Sequence, residues 1–241
     1  MKILALESSA LACSAAVCED ERLVAQFFQN SGLTHSRTLM PMVRDMLDSC
    51  QTELEQVDVI AVAAGPGSFT GLRIGVSAAK GLAWAADKPC APCSTLESMA
   101  WQIAHVDGWS VPVMDARRSQ VYNALFRAEG GALFRTAPDR AIALAELEEE
   151  IKKLDGPKIL VGDGAQLCYN EWKEHVPDLT VAPPHLRFQT AWGVARAALE
   201  LARADKLVPG GELVPVYHRL SQAERERLER ERATGQTKKQ S

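Results

Sequence analysis

Short apolar runs alternate with longer stretches of helical period along the chain. Ile3 to Leu6, Ser14 to Cys18 and Leu23 to Phe28 are three such runs with short polar turns between them, the pattern of an antiparallel meander. Thr34 to Cys50 has helical period. Its apolar positions Leu39, Met40, Met42, Val43, Met46, Leu47 and Cys50 cover roughly 160°, where one core-facing stripe needs about 100°. Two readings stay open: a methionine-rich, adaptable contact surface, or a core helix kinked at Pro41. Val57 to Ala64 reads as a buried strand. It runs into Gly65-Pro66-Gly67-Ser68-Phe69-Thr70-Gly71-Leu72-Arg73-Ile74-Gly75 and a small-residue helix ending near Trp84. Only Arg73, Ser77 and Lys80 form a polar stripe on that helix, which predicts burial on more than one side, by the core or by a second protein.

The second half begins in the same way. Ser94-Thr95-Leu96-Glu97 is a capping box that opens a helix to about His105, and Asp107-Gly108 marks a lobe boundary. Val111 to Met114, Val121 to Arg127 and Ala132 to Arg135 form a second meander. A helix over 143–154, a strand over 158–161, a helix over 165–174, a strand over 179–182 and a helix over 190–204 are expected to complete that lobe. Leu213 to Tyr217 is expected to be extended. The expected division is one lobe over 1–106, a second over 107–220, and a charged tail over 221–241. Charges alternate over 221–232 of that tail, and 234–241 is expected to be disordered.

Composition narrows the function classes. The 241 residues are 46% hydrophobic and 24% charged, with a net charge of −4. That balance shows none of the overall basicity of an autonomous nucleic-acid binder. No apolar stretch approaches the roughly 20 residues that span a bilayer. Met1 to Glu7 is too short and too soon acidic for a signal peptide, so a cytoplasmic protein is expected. Of six cysteines, most sit in apolar surroundings as buried thiols. Cys90-Ala91-Pro92-Cys93, just before the capping box, leaves a redox reading open.

Two clusters carry candidate chemistry. Strand, glycine turn and helix at Gly65 to Gly71 is the geometry that aims backbone N–H groups at an anion. Leu72-Arg73 nevertheless stand where a P-loop has Lys-Ser or Lys-Thr, and Thr70 stands at the last glycine of a dinucleotide fingerprint. The other reading is a tight turn packing the helix against the sheet. Glu7, at the end of the first strand, could hold a metal or orient a phosphate, or cap a turn through Ser8 and Ser9. Asp115, Arg117 and Arg118 follow a strand and suit phosphate or carboxylate binding, or form an exposed hairpin turn. Arg73 joins them if the glycine turn lies at the lobe junction. The five histidines include no pair at i,i+4 spacing to hold a metal, and no Gly-x-Ser-x-Gly elbow occurs.

Taken together, several motifs resemble the TsaB family, also called YeaZ. They are Leu6-Glu7-Ser8-Ser9, Thr34-His35-Ser36 with Pro41, the eleven residues from Gly65 to Gly75, and Ala79-Lys80-Gly81-Leu82-Ala83. Asp115-Ala116-Arg117-Arg118 with Val121-Tyr122, and Pro215-Val216-Tyr217, complete the set. The resemblance covers about the first 220 residues. It implies an α/β, actin-like ATPase (ASKHA) fold of two lobes, each a mixed sheet with flanking helices. It implies a non-catalytic partner of TsaD in making threonylcarbamoyladenosine beside the tRNA anticodon, with a TsaE-type ATPase completing the assembly. The partner contact, and a competing self-dimer, would fall on the two helices, at His35, Leu39, Met42, Val43, Met46, Arg73, Ser77 and Lys80. No catalytic residue, metal ligand or cofactor of its own is expected, and tRNA would be met only through the complex. Alternatives are an autonomous glycoprotease-like or kinase-like enzyme, and a regulator holding ATP or ADP. That nucleotide would sit at Gly65, Gly67, Ser68 and Gly71 with Asp115, Arg117 and Arg118, or at the TsaD interface.

Overall fold

The computed structural model describes residues 1–218; the charged tail expected over 221–241 lies outside the described residues. β1 (Lys2–Glu7), β2 (Cys13–Glu19) and β3 (Arg22–Gln29) form the expected meander. α1 (His35–Ser49), β4 (Val59–Gly65), α2 (Phe69–Ala86) and β5 (Cys90–Ser94) follow. The strands make one sheet in the order β3-β2-β1-β4-β5, with β1, β4 and β5 parallel. Parallel strands covered on both faces are apolar at every position, and all seven residues of β4 are buried.

After α3 (Thr95–Trp101) the pattern repeats. β6 (Gly108–Asp115), β7 (Gln120–Glu129) and β8 (Ala132–Ala143) form a second meander. α4 (Leu144–Ile151), β9 (Lys158–Val161), α5 (Ala165–Trp172) and β10 (Leu179–Val181) complete a sheet ordered β8-β7-β6-β9-β10. The short α6 (Pro184–Arg187) and then α7 (Ala191–Arg203) end the helical part.

Alternation along the strands sorts the cores. In β1, Leu4 and Leu6 face α1 and α2, while Ile3 and Ala5 face the opposite way, toward α7. In the second sheet, Val111 and Val113 face α4 and α5, and Met114, Ala124 and Phe126 face α3. Every residue of α3 except Glu97 is buried, because Leu96, Met99 and Ala100 serve the second sheet and Trp101 serves the first. α3 is therefore the layer between the sheets. The helix expected over 190–204 to complete the second lobe is α7, and it crosses back to pack on β1, β2, β4 and β5. Its Ala191, Val194, Ala195 and Ala198 let it lie close to the first sheet.

Sequence periodicity missed β5, which it read as the approach to a helix. Pro92 is tolerated there because β5 is an edge strand paired along one side to β4. The residues after α3, through His105, form turns rather than continued helix. Among the described residues, no helix is long and apolar enough to cross a membrane.

Candidate functional site

The glycine turn lies at the end of β4, against the loop that follows β1. Ser68 N–H donates to Ser9 O (2.6 Å), Gly71 N–H to Ser68 Oγ (3.3 Å), and Leu72 N–H to Ser68 O (2.8 Å). Ser8 Oγ donates to Gly71 O at 2.9 Å. A Cβ on Gly67 would collide with Ser9, and one on Gly71 or Gly75 with Ser8. Gly65, at φ +144°, is pressed against the Val216 carbonyl. The turn is thus filled by its own chain. The N–H groups of Ser68, Gly71 and Leu72 are engaged by Ser9 and by the N-cap Ser68, and the close contacts fit the tight-packing alternative.

Behind the turn stand carboxyls rather than cations. Glu7 is fully buried; one of its oxygens accepts the Ser9 N–H at 2.6 Å, and the other has no partner. Burial pushes the Glu7 carboxyl up to about 7, and the nearby charge of Asp163 acts in the same sense. Burial also pushes Asp163 up to about 6, helped by the charge of Asp115. Sequence patterns did not single out Asp163. Its signal was only the Gly162-Asp163-Gly164 step at a strand end. Asp115 accepts the Arg117 N–H at 2.6 Å, and Arg117, Arg118 and Ser119 all have positive φ. Arg117 and Arg118 are exposed on the hairpin turn between β6 and β7. Three carboxyls therefore lie in this region, two of them with raised pKa values. No group of three or more His, Cys, Asp and Glu able to hold a metal occurs among the described residues.

Arg73 does not join that cluster. It lines a groove of about 620 Å³ between α1 and α2 with His35, Leu39, Phe69, Ile74 and Ser77. Met40, 43% exposed, lies on the same groove. His35 Nε2 is hydrogen-bonded to Ala10 O at 2.7 Å, tying the start of α1 to the β1–β2 loop. A second groove, of about 590 Å³, runs along the other flank of α1 past Phe28, Arg37, Pro41 and Asp45.

Several residues expected on the partner-facing surface are elsewhere. Leu39, Val43 and Met46 are almost completely buried and Met42 nearly so, all in the core under α1. The wide apolar arc is mostly spent on the sheet, and a charge placed at Met46 would enter the core, not a docking surface. Lys80 turns away from the groove to donate to Gly211 O at 3.2 Å. α2 is buried along one side only; its other side is open, with Trp84 88% exposed.

The extended segment over 213–217 flanks α2. Leu213 is buried beneath it, and Val216 N–H donates to Ala64 O at 2.7 Å. Tyr217 stacks on Phe69, with ring centroids 4.5 Å apart. The Phe69–Arg73 pair was legible at i,i+4, but Tyr217, 144 residues from Arg73, carried no local signal.

Residues 29–233 match the family described as "TsaD: tRNA N6-adenosine threonylcarbamoyltransferase". The chain is 33% identical over 238 residues to the tRNA threonylcarbamoyladenosine biosynthesis protein TsaB of Bacillus subtilis (strain 168), covering 95% of this chain and 99% of that protein. It is 31% identical over 222 residues to the TsaB of Escherichia coli (strain K12), covering 91% and 95%. YeaZ from Pseudomonas aeruginosa superposes with a TM-score of 0.75 at 24% identity, over 90% of this chain and 99% of that one. That likeness is one of fold, and the two mixed sheets with flanking helices are the ASKHA architecture.

Proposed function

The chain belongs to the TsaB family, and from that premise we propose that it is the non-catalytic activating subunit of the assembly that makes threonylcarbamoyladenosine next to the anticodon of tRNA. A TsaD-type transferase docks on the face formed by α1 and α2. A TsaE-type ATPase joins that pair, and tRNA is met through the complex. When alone, two copies of the chain pair through the same face. The assembly works in the cytoplasm.

The observation that carries this reading is the open groove between α1 and α2, with Met40, Ile74 and Phe69 along it and Trp84 exposed on the adjoining face. An apolar groove between helices suits helix-in-groove docking. The self-filled glycine turn supports a subunit that does no phosphate chemistry of its own. ATP or ADP, where the assembly needs it, is held with groups from the partner.

Reconstitution tests the reading. Purified chain is mixed with TsaD-type and TsaE-type proteins, threonylcarbamoyl-adenylate synthase, ATP, threonine, bicarbonate and tRNA, and modified adenosine is measured with and without it. Dependence on the chain is expected. Equal yields without it, with all other components competent, would overturn the reading.

A further inference from the structure

We propose that Arg73 is the charged anchor of the α1/α2 face, that it receives a carboxylate side chain of the transferase-type partner, and that Tyr217 positions it to do so. This rests on the docking reading above and names the chemistry of the contact.

Two contacts hold the guanidinium, and a ring stack ties them together. The guanidinium lies over the Phe69 ring, 3.9 Å from the centroid. Phe69 in turn stacks on Tyr217. The Arg73 Nε–H donates to Tyr217 Oη at 3.2 Å. With Nε engaged, the Nη1/Nη2 edge is the fork left to bind, and its two parallel N–H groups match two carboxylate oxygens. Holding the side chain in this clasp beforehand lowers the entropy lost on docking.

The charge is also uncompensated. Among the described residues, no ion pair involves Arg73. The groove it lines has no acidic residue; its other members are apolar, hydroxyl-bearing or His35. A partner that covered this groove without an acid would leave the guanidinium unpaired and desolvated. Two copies paired groove to groove would bring together two Arg73 side chains and no groove-lining carboxylate. Charge complementarity therefore selects an acidic partner over self-pairing.

The experiment measures binding of the purified TsaD-type transferase, and self-association, for wild type, Arg73→Gln and Tyr217→Phe. Arg73→Gln is expected to weaken the hetero-complex about tenfold or more and to flatten its salt dependence, with self-association unweakened or strengthened. Tyr217→Phe keeps the ring stack and removes the acceptor. It is expected to weaken the hetero-complex by a smaller factor, and to add nothing once Arg73→Gln is present. Parallel loss of hetero- and self-association would mark a structural role and overturn the proposal, as would unchanged binding and salt dependence in Arg73→Gln. Tighter binding by a chain ending at His218, with the gain abolished in Arg73→Gln, would assign the groove to the chain's own C-terminus and overturn it too. Failure of wild type to bind the transferase overturns the docking reading itself; normal wild-type binding with an indifferent Arg73→Gln overturns only this inference.

Discussion

Gly71 and Gly81, both in α2, are there for different reasons. A Cβ on Gly71 would overlap the carbonyl oxygen of Ser8, which is backbone and held in place, whereas a Cβ on Gly81 meets nothing within 4 Å. Gly71→Ala is expected to destabilise the fold by about 2–3 kcal/mol through forced displacement of the β1–β2 loop. Gly81→Ala is expected to stabilise it by about 0.5–1 kcal/mol, since glycine inside a helix has an entropic cost. Urea unfolding of both variants checks this, and the same sign for both would contradict the packing account. The glycines were legible in the sequence as a turn. What fills the turn was not, because Ser8 and Ser9 lie some 60 residues away in the chain.

Among the elements, β5 shows how period decides chemistry. Cys90 and Cys93 are three apart on a strand, so they face opposite sides of the sheet. Cys90 enters the core beneath α1 and α2, and Cys93 the core beneath α7. They form no redox pair. Burial pushes the Cys90 thiol up to about 11 and Cys93 well above its ordinary value. Cys50, the C-cap of α1, is the one cysteine of the six that is not buried. Native protein treated with a thiol reagent is expected to show one fast-reacting group, lost in Cys50→Ser, with the other five reacting only on unfolding. A fast group that survives Cys50→Ser would contradict the burial pattern. The helices α1, α2, α4, α5 and α7 were legible because long amphipathic periods are strong signals. The exposure of α2 was not, since alanine and glycine count as apolar while carrying little surface to bury.

At the scale of the whole molecule, two sheets with one strand order meet around α3, and each contributes a carboxyl with a raised pKa: the buried Glu7 at the end of β1 and the partly buried Asp163 after β9. A carboxyl whose pKa is raised on folding binds its proton more tightly in the folded state. Its destabilisation is therefore absent below the unfolded value and grows as pH rises through the folded one. For Glu7 that window runs from its ordinary value of 4.5 to about 7, worth roughly 3 kcal/mol. Asp163 acts in the same sense from 3.8 to about 6. Glu7→Gln keeps an acceptor for the Ser9 N–H and removes the titration. It is expected to be more stable than wild type at pH 8, with the difference shrinking toward pH 4.5. Denaturation across that range checks this; a difference that stayed constant with pH would show that the carboxyl does not titrate in the window.

The chain's local pattern was enough to predict two matching meanders, the glycine turn after a buried strand, and most of the helices that flank the sheets. Those features follow from periodicity and turn chemistry, which act over a few residues. Tertiary structure alone decided that Ser8 and Ser9 fill the turn, that α7 returns to the first sheet, and that Leu39, Val43 and Met46 serve the core. It alone brought Tyr217 to Arg73. Each of those outcomes depends on which distant surfaces exclude water from one another, and no local spacing encodes that.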